Sequence, residues 1–260
     1  MKQVRPKKNL GQHFLTDLSI AKRIADTVDE PFADLPVLEV GPGMGVMTQY
    51  LVEKPRPLKM VEIDRESVAY LSERFHTSQI ISADFLRMDL HEVFDGQPFV
   101  LTGNYPYDIS SQIFFKMLDN KDLIPCCTGM IQHEVALRMA SQPGNKQYGI
   151  LSVLIQAWYH VEYLFTVEPS VFNPPPKVQS AVIRMTRNEV TDLGCDEALF
   201  RRVVKTVFAL RRKMLRVSLR QLLPSESPFF EIHAPLLTRR PEQLSIPEFV
   251  DLTNKVAEVL

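Results

Sequence analysis

VLEVGPGMGVMTQYL, residues 37–51, is a short apolar run that stops at three closely spaced glycines and passes into helix-forming residues. Glycine lets a chain turn sharply and lets a ligand approach the backbone without a side chain in the way. Gly41-Pro42-Gly43-Met44-Gly45 therefore reads as a strand-to-helix loop built to receive a ligand. Its G-x-G-x-G spacing is not the G-x-G-x-x-G of the dinucleotide fingerprint.

Outward from this loop, apolar or β-branched runs recur at residues 60–63, 80–83, 99–102 and 128–132, separated by helical segments. Strands alternating with helices predict an α/β fold with a mostly parallel sheet covered on both faces. Residues 159–167 and 178–185 read as two further strands with FNPPPK and no helix between them, so an antiparallel edge hairpin completes a sheet of seven. Upstream, DLSIAKRIADTV (17–28) has helical periodicity with Thr16 or Asp17 as N-cap. After Arg187 the pattern becomes helical, at 196–210, 213–223 and 247–260. Residues 188–194 read as a linker, and proline-bearing breaks fall at 224–228 and 235–241.

Composition sets the outer bounds. The 260 residues are 45% hydrophobic and 23% charged, an ordinary globular balance. The longest apolar stretches are too short to span a bilayer, and no apolar run follows the basic N-terminus as a secretory signal would require. Three cysteines and scattered histidines form neither a disulfide framework nor a metal-ligand spacing. The expectation is a cytoplasmic, reduced protein with no metal and no membrane association. A monomer fits the lack of any coiled-coil pattern. Net charge is −1, yet residues 201–220 carry eight Arg or Lys and no acid. Such a local patch, which includes Arg211, Arg212, Lys213 and Arg216, is the electrostatic footprint of phosphate binding. A solvated helix face is the plainer reading of the same charges.

Two acids sharpen the reading of the glycine loop. Glu62 ends the second strand, where a carboxylate can accept from both ribose hydroxyls of an adenosine. Asp84 ends the third, where it can accept from an adenine amine, with Phe85 beside it to cover the ring. The fourth strand runs into Asn104-Tyr105-Pro106-Tyr107. The exocyclic N6 amine of adenine is a poor nucleophile because its lone pair is delocalised into the ring. Two acceptors on its N–H bonds, the Asn104 side-chain oxygen and the Tyr105 backbone carbonyl, would favour the pyramidal form. Pro106 fixes the turn, and Tyr107 can stack on the base. Phe172, in a proline-stiffened segment, is a candidate for the other face of a base sandwich; core packing is its alternative.

These residues, together with Asn9-Leu10-Gly11-Gln12-His13-Phe14-Leu15, Gln132-His133-Glu134-Val135-Ala136 and Phe208 with Arg211-Arg212-Lys213, resemble the small-subunit ribosomal RNA adenine dimethyltransferases over nearly the whole chain. The resemblance implies a Rossmann-like class I methyltransferase domain over 1–187 and a small C-terminal helical, RNA-contacting domain over 188–260. It implies S-adenosylmethionine as cofactor, with contacts from His13, Leu15, Gly41, Glu62, Asp84 and Asn104, to which the loop reading adds Gly43. It implies dimethylation of two adjacent adenines in a hairpin loop near the 3′ end of small-subunit rRNA, within a pre-small-subunit particle. Position 13 is often Asn in the family. The usual acceptor motif is Asn-Leu-Pro-Tyr; Tyr105 keeps the backbone carbonyl and is expected to add bulk at the pocket rim. The competing readings are an adenine methyltransferase of large-subunit rRNA or DNA, and a non-catalytic ribosome-assembly factor.

Overall fold

The computed structural model describes Lys7 and residues 13–76 and 79–260. Lys2, Arg5, Lys8 and the Asn9–Gln12 part of the family motif lie outside the described residues. The chain forms two compact units. One is Met1–Ala136 with Val161–Arg187, and the other is Leu137–His160 with Asn188–Leu260.

The elements run β1 (Phe14–Leu15), α1 (Leu18–Asp26), β2 (Val37–Val40), α2 (Thr48–Leu51), β3 (Leu58–Glu62), α3 (Arg65–Arg74), β4 (Gln79–Ser82), β5 (Val100–Asn104), α4 (Ser110–Asp119), β6 (Cys126–Gln132) and α5 (His133–Ala140). They continue with α6 (Ile150–Gln156), β7 (Tyr159–Val167), β8 (Phe172–Asn173), β9 (Ser180–Arg187), α7 (Glu197–Ala209), α8 (Leu215–Ser218), α9 (Phe229–Ile232), α10 (Ala234–Leu237) and α11 (Ile246–Ala257).

Seven strands make one sheet in the order β4-β3-β2-β5-β6-β9-β7. The β4-to-β6 neighbours are parallel, and β9 is antiparallel to β6. The expected α/β sheet of seven is what the chain forms, with β9 and β7 at one edge. Strand β2 is buried along its whole length, as a parallel strand covered on both faces must be. Asp17 caps α1, its Oδ1 accepting from the N–H groups of Ser19 (2.9 Å) and Ile20 (3.2 Å). Ala21, Ile24 and Ala25 form the helix's buried stripe. The chain builds outward from β2 through β3 and β4, then returns to place β5 on the other side of β2. That reversal opens a crevice beyond the carboxyl ends of β2 and β5, the place where open α/β sheets bind ligands. No helix of the described residues is long and apolar enough to cross a membrane.

The second unit does not begin at residue 188. Leu137–His160 belongs with the C-terminal helices. Tyr148 packs edge-on to Phe208 of α7, Gly144 N–H donates to the Glu242 carbonyl at 2.7 Å, and Arg211 donates to the Lys146 carbonyl. Two helix expectations also change. The helix expected over 213–223 is one short α-helical segment, α8, followed by a 3-10 turn, because Met214 is extended (ψ 155°) and Leu215 N–H donates to Arg239 instead. The break expected at 235–241 overlaps α10. Pro235 occupies its first turn, where a missing N–H costs nothing.

The side chain of Tyr105 packs in the core instead of adding bulk at a pocket rim. The residue is 1% exposed, its hydroxyl donates to the Thr128 carbonyl at 2.9 Å, and its ring meets Phe114 edge-on. Glycine on the neighbouring strand makes the room: a Cβ at Gly129 would stand 2.8 Å from Tyr105 Cε2. Replacing Tyr105 with Leu leaves a void and removes the hydrogen bond to Thr128, and is expected to cost about 3 kcal/mol of stability. Chemical denaturation checks this, and an unchanged midpoint would contradict it.

Candidate functional site

The crevice holds a cavity of about 280 Å³ walled by the strand tips of the first unit. Gly43 (φ 56°) and Gly45 (φ 72°) of the loop after β2 adopt left-handed conformations that disfavour any other residue. At Gly45 a side chain is also excluded by contact, since a Cβ would fall 2.4 Å from Phe75 Cε2. The loop bends so that Gly43 N–H reaches Glu62, donating to Oε2 at 3.1 Å, while Asp64 N–H donates to Oε1 at 2.9 Å. Glu62 is 4% exposed. Burial raises its pKa, against the backbone N–H bonds that favour the ionised form. Each oxygen is anchored and retains lone-pair capacity for a ligand hydroxyl.

Asp84 sits after β4, with Oδ1 accepting from Leu86 N–H at 2.9 Å and Arg87 Nε 3.4 Å from Oδ2. Phe85 is buried on the cavity wall. On the opposite wall, Asn104 Nδ2 donates to the His13 carbonyl at 3.4 Å, which leaves Oδ1 as the amide's acceptor. Tyr107 is half-buried; its hydroxyl is hydrogen-bonded to Ser180 Oγ and its ring stacks on His13 at 5.7 Å. Burial raises the Tyr107 phenol pKa. His13 Nδ1 lies 2.9 Å from the Pro174 carbonyl. A carbonyl only accepts, so Nδ1 carries the proton of this hydrogen bond.

Of the residues singled out in the sequence, His13, Leu15, Gly41, Gly43, Glu62, Asp84 and Phe85 line this one cavity, as do Asn104, Tyr105, Pro106 and Tyr107. Phe172 does not. Strand β8 pairs antiparallel with β1, with Phe172 opposite Leu15, and its ring is 4% exposed within the hydrophobic core cluster that also holds Leu15 and Val167. Of the two readings of Phe172, this burial accords with core packing.

Arg211, Arg212, Lys213 and Arg216 belong to the second unit. Arg212, Lys213 and Arg216 are exposed, with the exposed Met214 and Val217 among them. Arg211 differs, because its guanidinium holds the carbonyl of Lys146.

Of the wall residues that escaped the sequence reading, Phe14, Ile63 and Glu39 stand out. Phe14 covers the glycine loop, its Cε1 3.2 Å from where a Gly43 Cβ would stand. Ile63, 55% exposed, offers an apolar surface beside Glu62. Glu39 is the most informative. It lies on β2, is 1% exposed, and accepts from Thr48 Oγ1 at 2.7 Å. Burial, with Glu62 nearby, pushes its pKa up to about 8. An acid inside an otherwise apolar central strand was the available signal, since such a carboxylate is costly to bury without a partner.

The sequence pattern of the family described as ribosomal RNA adenine dimethylase matches residues 3–256. The chain is 66% identical to a ribosomal RNA small subunit methyltransferase A of Bacteroides thetaiotaomicron, over 100% of this chain and 97% of that one. It is 52% identical to the protein of the same name from Flavobacterium johnsoniae, over 98% and 97%. Among solved structures, a dimethyladenosine transferase from Plasmodium falciparum shares the fold at TM-score 0.77 and 23% identity, covering 94% of this chain and 98% of that one. The 23S rRNA methyltransferase ErmE aligns at TM-score 0.69 and 26% identity, over 94% and 99%. The chain belongs to the ribosomal RNA adenine dimethylase family.

Proposed function

We propose that this chain transfers methyl groups from S-adenosylmethionine to the exocyclic amines of two adjacent adenines in a hairpin loop near the 3′ end of small-subunit rRNA, during maturation of that subunit. One observation carries the reading: the Asn104–Tyr107 turn and the acids Glu62 and Asp84 face a single cavity. The family and the names of its relatives supply the RNA.

The chemistry of the wall fits the donor. Glu62 offers carboxylate oxygens to ribose hydroxyls, and Asp84 offers one to the adenine amine. Glu39 is a buried acid with no cationic partner among the described residues, which suits the amino-acid end and its ammonium. When bound, S-adenosylmethionine supplies an electrophilic methyl group. On the other wall, Asn104 Oδ1 and the Tyr105 carbonyl accept the two N–H bonds of the target amine and favour its pyramidal form. Tyr107, held by Ser180 and His13, presents a ring face to the base. Positioning and electrostatics carry such a displacement, with no strong general base. An adenine in a hairpin loop is extruded more cheaply than one in a duplex. Within the second unit, Arg212, Lys213 and Arg216 form the exposed cationic surface that would grip phosphates.

Radiolabelled S-adenosylmethionine with unmethylated small ribosomal subunits tests the reaction. The expected product after nucleoside analysis is dimethyladenosine, with Asn104→Ala slower by about 10²-fold. Label entering only large-subunit RNA or duplex DNA would contradict the substrate, and an unchanged rate for Asn104→Ala would contradict the mechanism.

Glu39 gives a pH dependence. Free, it titrates near pH 8; beside a bound ammonium its pKa falls, so binding releases a proton below that pH. Affinity for S-adenosylhomocysteine should therefore rise with pH up to about 8 and level off above it. Calorimetry in buffers of different ionisation enthalpy reads the proton directly. Glu39→Gln should abolish the release, and a pH-independent wild type would contradict this role.

Charge reversal at Arg212 and Lys213 should weaken rRNA binding and reduce its salt slope by about one per lost phosphate contact. S-adenosylhomocysteine affinity should stay intact. Equal loss of both in parallel binding assays would count against a phosphate-binding role.

A further inference from the structure

Lys116 lies on α4, the helix that follows directly from the Asn104–Tyr107 turn. Its side chain does not line the cavity. It reaches instead to the segment after β4, where Nζ donates to the carbonyls of Leu86 (3.1 Å) and Met88 (2.5 Å) and lies 5.7 Å from the centre of the Phe85 ring. The same segment is tied from within. Asp84 Oδ1 accepts from Leu86 N–H, and the Asp84 carbonyl accepts from the N–H groups of Arg87 (3.0 Å) and Met88 (3.2 Å). Residues 84–88 thus form one turn, closed by Asp84 and clamped from behind by an ammonium.

Holding an ammonium there has a cost. Burial pulls the Lys116 pKa down, opposed by the charges of Asp84, Asp89 and Asp119. An apolar side chain would fill the same space without that penalty. What the ammonium adds is direction: it bonds two carbonyls at once, packs on an aromatic face, and brings a positive charge toward Asp84.

We infer that Lys116 is a positioning residue for the adenine end of the methyl-donor site. It holds Asp84 and the Phe85 ring in the shape that receives the purine, and it fastens that shape to the helix behind the acceptor turn. The inference rests on the reading of S-adenosylmethionine as donor. Binding geometry is sensitive to small displacements, so loosening this turn should lower affinity without unfolding the protein.

The molecule contains a matched control. Lys59 on β3 donates to the Val93 carbonyl at 2.5 Å and lies 5.0 Å from the centre of the Phe94 ring, and it too does not line the cavity. Lys116→Met and Lys59→Met remove the same kind of lysine–carbonyl–aromatic contact and should lower the melting temperature comparably. S-adenosylhomocysteine and 5′-methylthioadenosine, which lacks the amino-acid end, are titrated into wild type and both variants. Lys116→Met should weaken both ligands about tenfold, Lys59→Met should leave both unchanged, and Lys116→Arg should recover most of the loss. Lys116→Gln, which keeps an uncharged N–H donor group, is the milder variant should Lys116→Met not fold, and it should weaken both ligands less. Wild-type affinity in Lys116→Met or Lys116→Gln, or equal loss in Lys59→Met, would overturn the role of Lys116 alone. A wild type that binds neither ligand would overturn the donor reading and this inference with it.

Discussion

A carboxylate carried into the interior must be met by hydrogen bonds, and the way Glu62 is met shapes the rest of the site. Two backbone N–H groups reach it, from Gly43 of the loop after β2 and from Asp64 two residues further along its own chain. The first bond requires the loop to fold back over the strand tip, which only left-handed glycines allow. Gly45 must also leave its space to Phe75. Bare glycines, a charged anchor and a tight turn are three views of one constraint.

The reversal of strand order brings a second wall opposite the first. Strand β5 lies beside β2, with Gly103 opposite Val40, so Asn104 emerges next to Gly41. His13 braces this second wall. Its carbonyl takes the Asn104 amide, its Nδ1–H is held by the Pro174 carbonyl, and its ring stacks on Tyr107. The β1–β8 pair and the bonds from Thr16 N–H and Oγ1 to the Val171 carbonyl, each 2.8 Å, hold this stretch in place. The Asn104 amide is thereby oriented by residues distant from it in sequence.

How much of this was legible depended on the range of the forces involved. The sheet was legible because its central strands are buried on both faces and read as short apolar runs between helical periods. Glu62, Asp84 and Asn104 were legible because each stands where an apolar run ends at a strand tip. Tyr105 was not, and for Phe172 the core was only one of two readings. The place of Tyr105 depends on a glycine on the next strand, and that of Phe172 on pairing with Leu15. Nothing local encodes either. The grouping of Leu137–His160 with the C-terminal helices rests on equally distant contacts, such as Tyr148 with Phe208. Glu39 could have been seen as an acid out of place in an apolar strand, but its burial beside Thr48 and Glu62 gives it meaning only in three dimensions.

The central claim is that one cavity holds a donor nucleoside and a target adenine face to face. The most direct measurement is a crystal structure of the protein with S-adenosylhomocysteine and adenosine. The account predicts ribose hydroxyls on the Glu62 carboxylate, one adenine at Asp84, and the amine of the second base bonded to Asn104 Oδ1 and the Tyr105 carbonyl. Ligand density that leaves Glu62 and Asp84 untouched, or a second base remote from the Asn104–Tyr107 turn, would contradict it.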